Sequence, residues 1–592
     1  GTFPHSPLPP PSLFFHFPAP PLIMRASPPA AAALLLLLLG ATMAEASAWR
    51  RFGDHVACGQ VPVSLSRSND TSAGAAERAR TVHSTIGCQR LCRNHDDCRG
   101  IQYNATSGRC SVLTQPVQYV HAAPGVTCMG FEDPAVSRSV YVMMPLNLVA
   151  ADARVFNETE LARIKEEFTK LAAADIDGIM LDVWWGITER TPKNYTFTLY
   201  HQIIDLAEGY VWGVQAVASF HRCGGNVGDR CNIPLPSFVR EVDGIWYTDA
   251  QGNENGEYIS LFADNVVVAG GRTPLQMYRD WFAAFKEEFA SQLESQVISE
   301  VQVGMGPCGE LRYPAYPMSR WHFCGIGEFV CYDGHAQASL RSAAEAAGNA
   351  SLALPPSDAG TYNSRPDETA FFSEGYKTEA GDFFLDWYLA SLKTHGGAVL
   401  AEARAVFGDA QHLAGKVAGV HWFYDDPSHA AEATAGYYNV NGRDAYSEIA
   451  AVLAAHGAHL DFTCMEMMNT DVPEQCLADP EGLVRQVEMA TKRNHVELHG
   501  ENALLRFDEW AFNEMLSHKS EMIGLSYLRL DPRLYHPANW ERFVAFVTAM
   551  HGEEDGGGDG DDSARRLASG EGQMPPADEL APSQPKSLYV LV

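Results

Sequence analysis

Between residues 140 and 530, short apolar runs alternate with longer segments in which apolar residues recur every three or four positions. The runs have strand length and β-branched character: VYVMMPL (140–146), GIMLDVWW (178–185), VQAVASFH (214–221), SEVQVGMG (299–306), VAGVHWFY (417–424), LDFTCME (460–466), HVELHGEN (495–502) and IGLSYLRL (523–530). The intervening segments read as amphipathic helices. In 158–174, Leu161, Ile164, Phe168 and Leu171 share one stripe, and 276–294 (QMYRDWFAAFKEEFASQLE) repeats the pattern. Eight alternations of strand and helix predict an α/β fold, a parallel sheet closed as a (β/α)8 TIM barrel with long loops over 134–551.

The two ends of the chain break this pattern. Residues 1–23 are rich in Pro and Phe and match no folding unit; the first methionine is Met24. After it come Arg25, an apolar run over Ala30–Leu39 and small residues at Ala46-Ser47-Ala48, the order of a secretory signal, so 1–48 is expected to be leader and signal peptide. A run that short does not span a bilayer, and no membrane anchor is expected in the mature chain. The string ASAW at 46–49 keeps a bipartite plastid presequence open, while five Asn-x-Ser/Thr sequons, at Asn69, Asn104, Asn157, Asn194 and Asn349, favour the secretory or vacuolar route. Residues 552–592 are Gly-, Pro- and acid-rich and are expected to be a disordered acidic tail.

Charge and cysteine content narrow the chemistry. Lys and Arg total 43 against 73 Asp and Glu, a net charge of −30, which disfavours nucleic acid as a partner. Six of the 13 cysteines, Cys58, Cys88, Cys92, Cys98, Cys110 and Cys128, crowd into 49–133, as in a disulfide-rich module too small to rely on its core. Fifteen pairings are open, and no CxxC partner supports a zinc site. The run CQRLCRNHDDCRGIQYNATSGRC resembles a PAN/apple module, which implies a protein or carbohydrate ligand for this segment.

In a barrel of this kind the chemistry sits at the C-terminal strand ends. Polar residues occupy seven of the eight: Asp182, His221, Glu310, His421, Thr463 with Glu466, Glu501 with Asn502, and Arg529. Glu310, after GMGPCG, and Glu501, after HVELHG, are the paired carboxylates that glycoside hydrolysis requires. Aromatics near the same ends, Trp184, Trp185, Trp422, Phe423 and Tyr424, suit sugar stacking or core packing. No HExxH, GxSxG or GxxxxGK[ST] occurs, so no metal or cofactor is expected.

The segments GIMLDVWWGITE, SFHRCGGNVGDRCNIPLP, VGMGPCGELRYPAYP, VHWFYDDPSHAAEATAGYYN, DFTCMEM, GENALLRFD and SYLRL resemble the β-amylases, inverting hydrolases that release β-maltose from the non-reducing ends of α-1,4-glucans. The resemblance implies Glu310 as general acid and Glu501 as general base. It implies Asp182, His221, Asp229, Lys416, His421, Thr463, Asn502, Ala503 and Arg529 as substrate-binding positions. GGNVGD (224–229) is similar to the family's mobile lid, carrying Asp229, with Thr463 on a shorter inner loop. Leu505, Phe507 and Cys308 depart from the residues usual there, and Cys223 and Cys231 bracket the lid, where a disulfide is expected in an oxidising compartment. Two other readings stand beside the hydrolase: a catalytically silent α-glucan binder or sensor, and an adhesion protein acting through its cysteine module.

Overall fold

The computed structural model describes residues 49–59, 80–81, 100–104, 107, 109–113, 119–131, 137–150, 152, 155–226 and 231–552. The expected leader, Cys88, Cys92, Cys98, Asp229 and nearly all of the expected tail lie outside them. In the cysteine module, strands Trp49–Gly59, Tyr119–Phe131, Gly100–Asn104, Arg109–Leu113 and Arg80–Thr81 form an antiparallel sheet in that order.

From Ser139 onward the chain forms the expected barrel. The strands β1 (Ser139–Met143), β2 (Gly178–Trp184), β3 (Gly213–Ser219), β4 (Ile298–Val303), β5 (His412–Val417), β6 (Ala458–Phe462), β7 (Leu498–Glu501) and β8 (Gly524–Tyr527) pair in parallel and close on β1. Each is followed by a helix: α1 (Glu158–Ala173), α2 (Thr198–Ala207), α3 (Pro274–Glu288), α4 (Glu379–Phe407), α5 (Ala445–Ala455), α6 (Pro480–Asn494), α7 (Glu509–Ser517) and α8 (Pro537–His551). Start signals are local. Asn157 caps α1 in a capping box with Glu160, and Thr273 with Gln276 does the same for α3. Buried Ile164, Phe168 and Leu171 face the sheet, whereas Leu161 is only partly buried.

Two elements differ from the sequence reading. The run VAGVHWFY is not the fifth strand, which is His412–Val417; beyond Val417 it is a loop. Val420, Trp422 and Phe423 are buried in that loop, so burial rather than strand pairing accounts for its apolar character. The helix expected over 276–294 ends at Glu288, and Phe289 (φ −105°, ψ 26°) separates it from a short helix, Ala290–Glu294.

Glycine at position 178 makes room for the Tyr141 ring: any larger residue there would bring its Cβ to 2.1 Å from Tyr141 Cε1. Among the described residues no helix is long and apolar enough to cross a membrane.

Candidate active site

The C-terminal strand ends gather the candidate residues. Asp182 lies near the end of β2, His221 two residues past β3, Lys416 near the end of β5, Thr463 just past β6, Glu501 at the end of β7, and Arg529 two residues past β8. His421 sits four residues past β5 and is wholly buried. Glu310 follows a turn after β4 in which Cys308 (φ 54°) and Gly309 (φ 78°) take left-handed backbone conformations. Phe423 (φ 54°) and Cys464 (φ 67°) take the same left-handed conformation past β5 and β6.

Lys416 connects the two carboxylates. Its backbone forms a bridge with Glu310, and Leu311 N donates to Lys416 O at 2.8 Å. Its Nζ lies 2.5 Å from Glu501 Oε2 as an ion pair. Burial pushes the Glu501 carboxyl above the usual carboxylate range, while the Lys416 charge opposes this. Burial would lower Lys416, but Glu501 and Glu310 outweigh it and hold the ammonium up. The buried charges of Lys416 and Glu501 therefore compensate each other.

Around this pair the other groups are buried and polarised. Ser219 Oγ donates to Asp182 Oδ1 at 2.7 Å; burial raises the Asp182 carboxyl, against the opposing influence of Arg529, Ser219 and Lys416. Burial, Lys416 and Arg312 push His221 down to about 3, and burial pushes His421 down to about 4, so both rings are neutral near pH 7. Trp184 meets His221 edge-on at 5.0 Å between ring centroids. Thr463 Oγ1 accepts from Gly419 N at 2.9 Å, tying the loop past β6 to that past β5.

Some expected contributors also have structural work. Asn502 Nδ2 donates to Leu504 O and Leu528 O, and its Oδ1 accepts from Leu528 N at 2.7 Å, so this side chain locks the ends of β7 and β8 together. Ala503 N donates to Glu466 Oε2 at 2.9 Å and Leu504 N to Oε1 at 2.6 Å, so Glu466 clamps the loop that carries Ala503. Burial pushes Glu466 up to about 7 against those backbone bonds. Trp184, Trp185, Trp422 and Phe423 are at most 2% exposed, which assigns them to the core rather than to an open sugar platform.

Sequence reasoning missed Arg312, Asn226 and Glu257. Arg312 Nε lies 2.6 Å from Glu310 Oε2, and its Nη2 donates to Asn226 Oδ1 at 3.2 Å. Arg312 falls within the VGMGPCGELRYPAYP segment, which could have flagged it; nothing local marks Glu257. The expected bridge between Cys223 and Cys231 is present, as is a second between Cys324 and Cys476, while Cys308, Cys331 and Cys464 take part in no disulfide. Asp229 lies outside the described residues.

Known proteins share this architecture. The glycosyl hydrolase family 14 profile matches residues 141–556, and the PAN domain profile matches residues 64–133. Beta-amylase 1, chloroplastic, of Oryza sativa subsp. japonica is 46% identical over 430 residues, 69% of this chain and 80% of that protein. The beta-amylase of Medicago sativa is 43% identical over 437 residues, 70% of this chain and 87% of that protein. The crystal structure of the catalytic domain of beta-amylase from Paenibacillus polymyxa aligns with a TM-score of 0.58 at 27% identity, covering 70% of this chain and 98% of that one.

Proposed function

This chain belongs to glycosyl hydrolase family 14, and from that premise we propose that Glu310 and Glu501 are the acid and base of an inverting, exo-acting hydrolysis of α-1,4-glucan. The protein is a glycoside hydrolase of the β-amylase type, acting on starch-like α-glucan and releasing maltose. The observation that carries the residue assignment is Lys416, bridged to Glu310 through its backbone and ion-paired with Glu501.

Glu310 delivers a proton to the glycosidic oxygen as the bond to C1 breaks. Glu501 removes a proton from water as that oxygen attacks C1 from the opposite face, so the freed maltose carries the β configuration. The Lys416 charge favours ionised Glu501 against burial, and burial, holding the carboxyl above the usual range, makes the carboxylate a stronger base. Asp182, His221, Asp229, His421, Thr463, Ala503 and Arg529 bind the glucan, with Asn502 shaping the wall through its loop bonds. Purified protein incubated with soluble starch should yield maltose that is initially β; α-maltose or no maltose overturns the reading. Glu310→Gln and Glu501→Gln should each lower kcat by at least about 10³-fold without unfolding the protein.

The family 14 match leaves the cysteine module outside the catalytic barrel, and the PAN match supports an accessory role for it in recognising protein or carbohydrate. Binding of residues 49–133 to insoluble glucan or to a protein partner, absent from the barrel alone, tests that role. For localisation we propose entry into the secretory pathway, supported by the two disulfides, with plastid delivery as the alternative. The chloroplastic designation of relatives from rice and Arabidopsis favours the alternative. N-terminal sequencing of the mature protein separates the two.

A further inference from the structure

The segment that leaves β3 is closed at its base in two ways. Cys223 and Ile233 exchange both backbone hydrogen bonds, at 2.9 and 3.1 Å, and a disulfide joins Cys223 to Cys231 with Cα atoms 5.6 Å apart. Gly224 (φ 99°) turns the chain so tightly that a Cβ there would stand 2.4 Å from the Cys231 carbonyl oxygen. The turn delivers Asn226, 3% exposed, between two charged side chains that are equally buried. Its Nδ2 donates to Glu257 Oε1, and its Oδ1 accepts from Arg312 Nη2 at 3.2 Å. Arg312 in turn pairs through Nε with Glu310 Oε2 at 2.6 Å, its guanidinium 4.4 Å from the centre of the Tyr316 ring.

A guanidinium is planar with donors in fixed directions, so holding Nη2 also aims Nε. We propose that Asn226 is a positioning residue for the general acid: acting through Arg312 it directs the Glu310 carboxyl, and the Cys223–Cys231 bridge holds Asn226 in place. With Oε2 engaged by Arg312, proton delivery falls to Oε1. A carboxyl aimed wrongly by about 1 Å loses on the order of 10²-fold in rate while the sugar still binds. The inference rests on Glu310 being the acid.

The test compares two substrates in the full-length enzyme. Maltopentaose needs its leaving oxygen protonated, whereas α-maltosyl fluoride departs as fluoride without that proton, so only the first depends on an aimed acid. Asn226→Ala should lower kcat on maltopentaose about 10- to 100-fold, with KM within about twofold and the fluoride rate within about threefold. Because this change also removes a donor from buried Glu257, Cys223→Ser/Cys231→Ser, which touches neither group, is measured beside it. A loss of about 3- to 10-fold on maltopentaose with the fluoride spared is expected. Equal losses on both substrates in Asn226→Ala, or no loss on maltopentaose, overturn the positioning role; an unchanged double variant overturns the role of the bridge. Glu310→Gln is the control on the underlying assignment: if it loses fluoride turnover as severely as maltopentaose turnover, the acid assignment fails, and that result is read independently of Asn226.

Discussion

The two halves of the barrel interior are both polar, and they differ in how completely their polar groups are paired. Toward the N-terminal strand ends, His459 joins Glu300 at 3.1 Å and Glu497 at 2.9 Å. Gln215 donates to Glu300 at 3.1 Å, and Ser526 donates to Gln215 at 2.6 Å and lies 3.0 Å from His499. At the C-terminal ends, Nδ1 of His221, both ring nitrogens of His421 and Nη1 of Arg529 are buried without a hydrogen-bond partner among the described residues. An unmade buried bond costs about 1–3 kcal/mol, so such groups persist where a ligand supplies the missing partner. Polarity inside the barrel therefore does not by itself mark the site; these unpaired groups lie at its C-terminal mouth.

The largest test of this contrast is Lys416→Met. Removing the cation paired with Glu501 should lower kcat about 10²- to 10⁴-fold in steady-state assays on maltopentaose, and retained activity would dissolve the pairing on which the site is built. In the other half, His459→Gln should cost about 3 kcal/mol in urea unfolding, because two carboxylates lose their cation, while kcat stays within about threefold. A collapse of kcat in that variant would break the distinction between the halves.

The pH dependence of that cost follows from the shifts. Burial alone would lower His459, but Glu300 and Glu497 outweigh it and hold the ring up at about 10; its contribution is full below about 6.5 and fades as pH rises toward 10. Burial would raise Glu300, yet His459 holds it below the usual carboxylate range, and bonding to His459 lowers Glu497 despite burial. Those contributions are present above about 4.5 and fade as pH falls further. The stability gap between wild type and His459→Gln should accordingly peak near about pH 5–6 and shrink on either side.

A smaller effect is expected at His421. His421→Leu removes two unpaired nitrogens, so thermal unfolding should show a gain or a loss within about 1 kcal/mol while KM for maltopentaose rises about tenfold. A loss above about 2 kcal/mol would show that the ring is a packed structural group. The smallest effects are expected from Leu505→Pro and Phe507→Tyr, each changing kcat/KM less than about threefold, since both side chains lie partly buried against the core beside the carboxylates' support.

How far the molecule is legible in its sequence follows the range of the forces involved. Alternating apolar runs and helical stripes are local, and they revealed the barrel. They failed at the fifth strand, where the loop holding Val420 and Trp422 is as apolar as a strand because it packs into the core. Glu310, Glu501, Asp182 and Arg529 were visible because each interrupts or follows an apolar run with a charge. The contact of Asn226 with Arg312 was not visible, because the two residues are 86 positions apart along the chain.

The sequence by itself determined the (β/α)8 architecture and the family, and it singled out the two candidate carboxylates, because periodicity and motif are properties of neighbouring residues. Only the tertiary structure decided that Lys416 links both carboxylates, that Asn502 and Glu466 support loops, and that Asn226 reaches Glu310 through Arg312. Those relations depend on which strand ends meet when the barrel closes, and on burial that makes each pairing costly to lose.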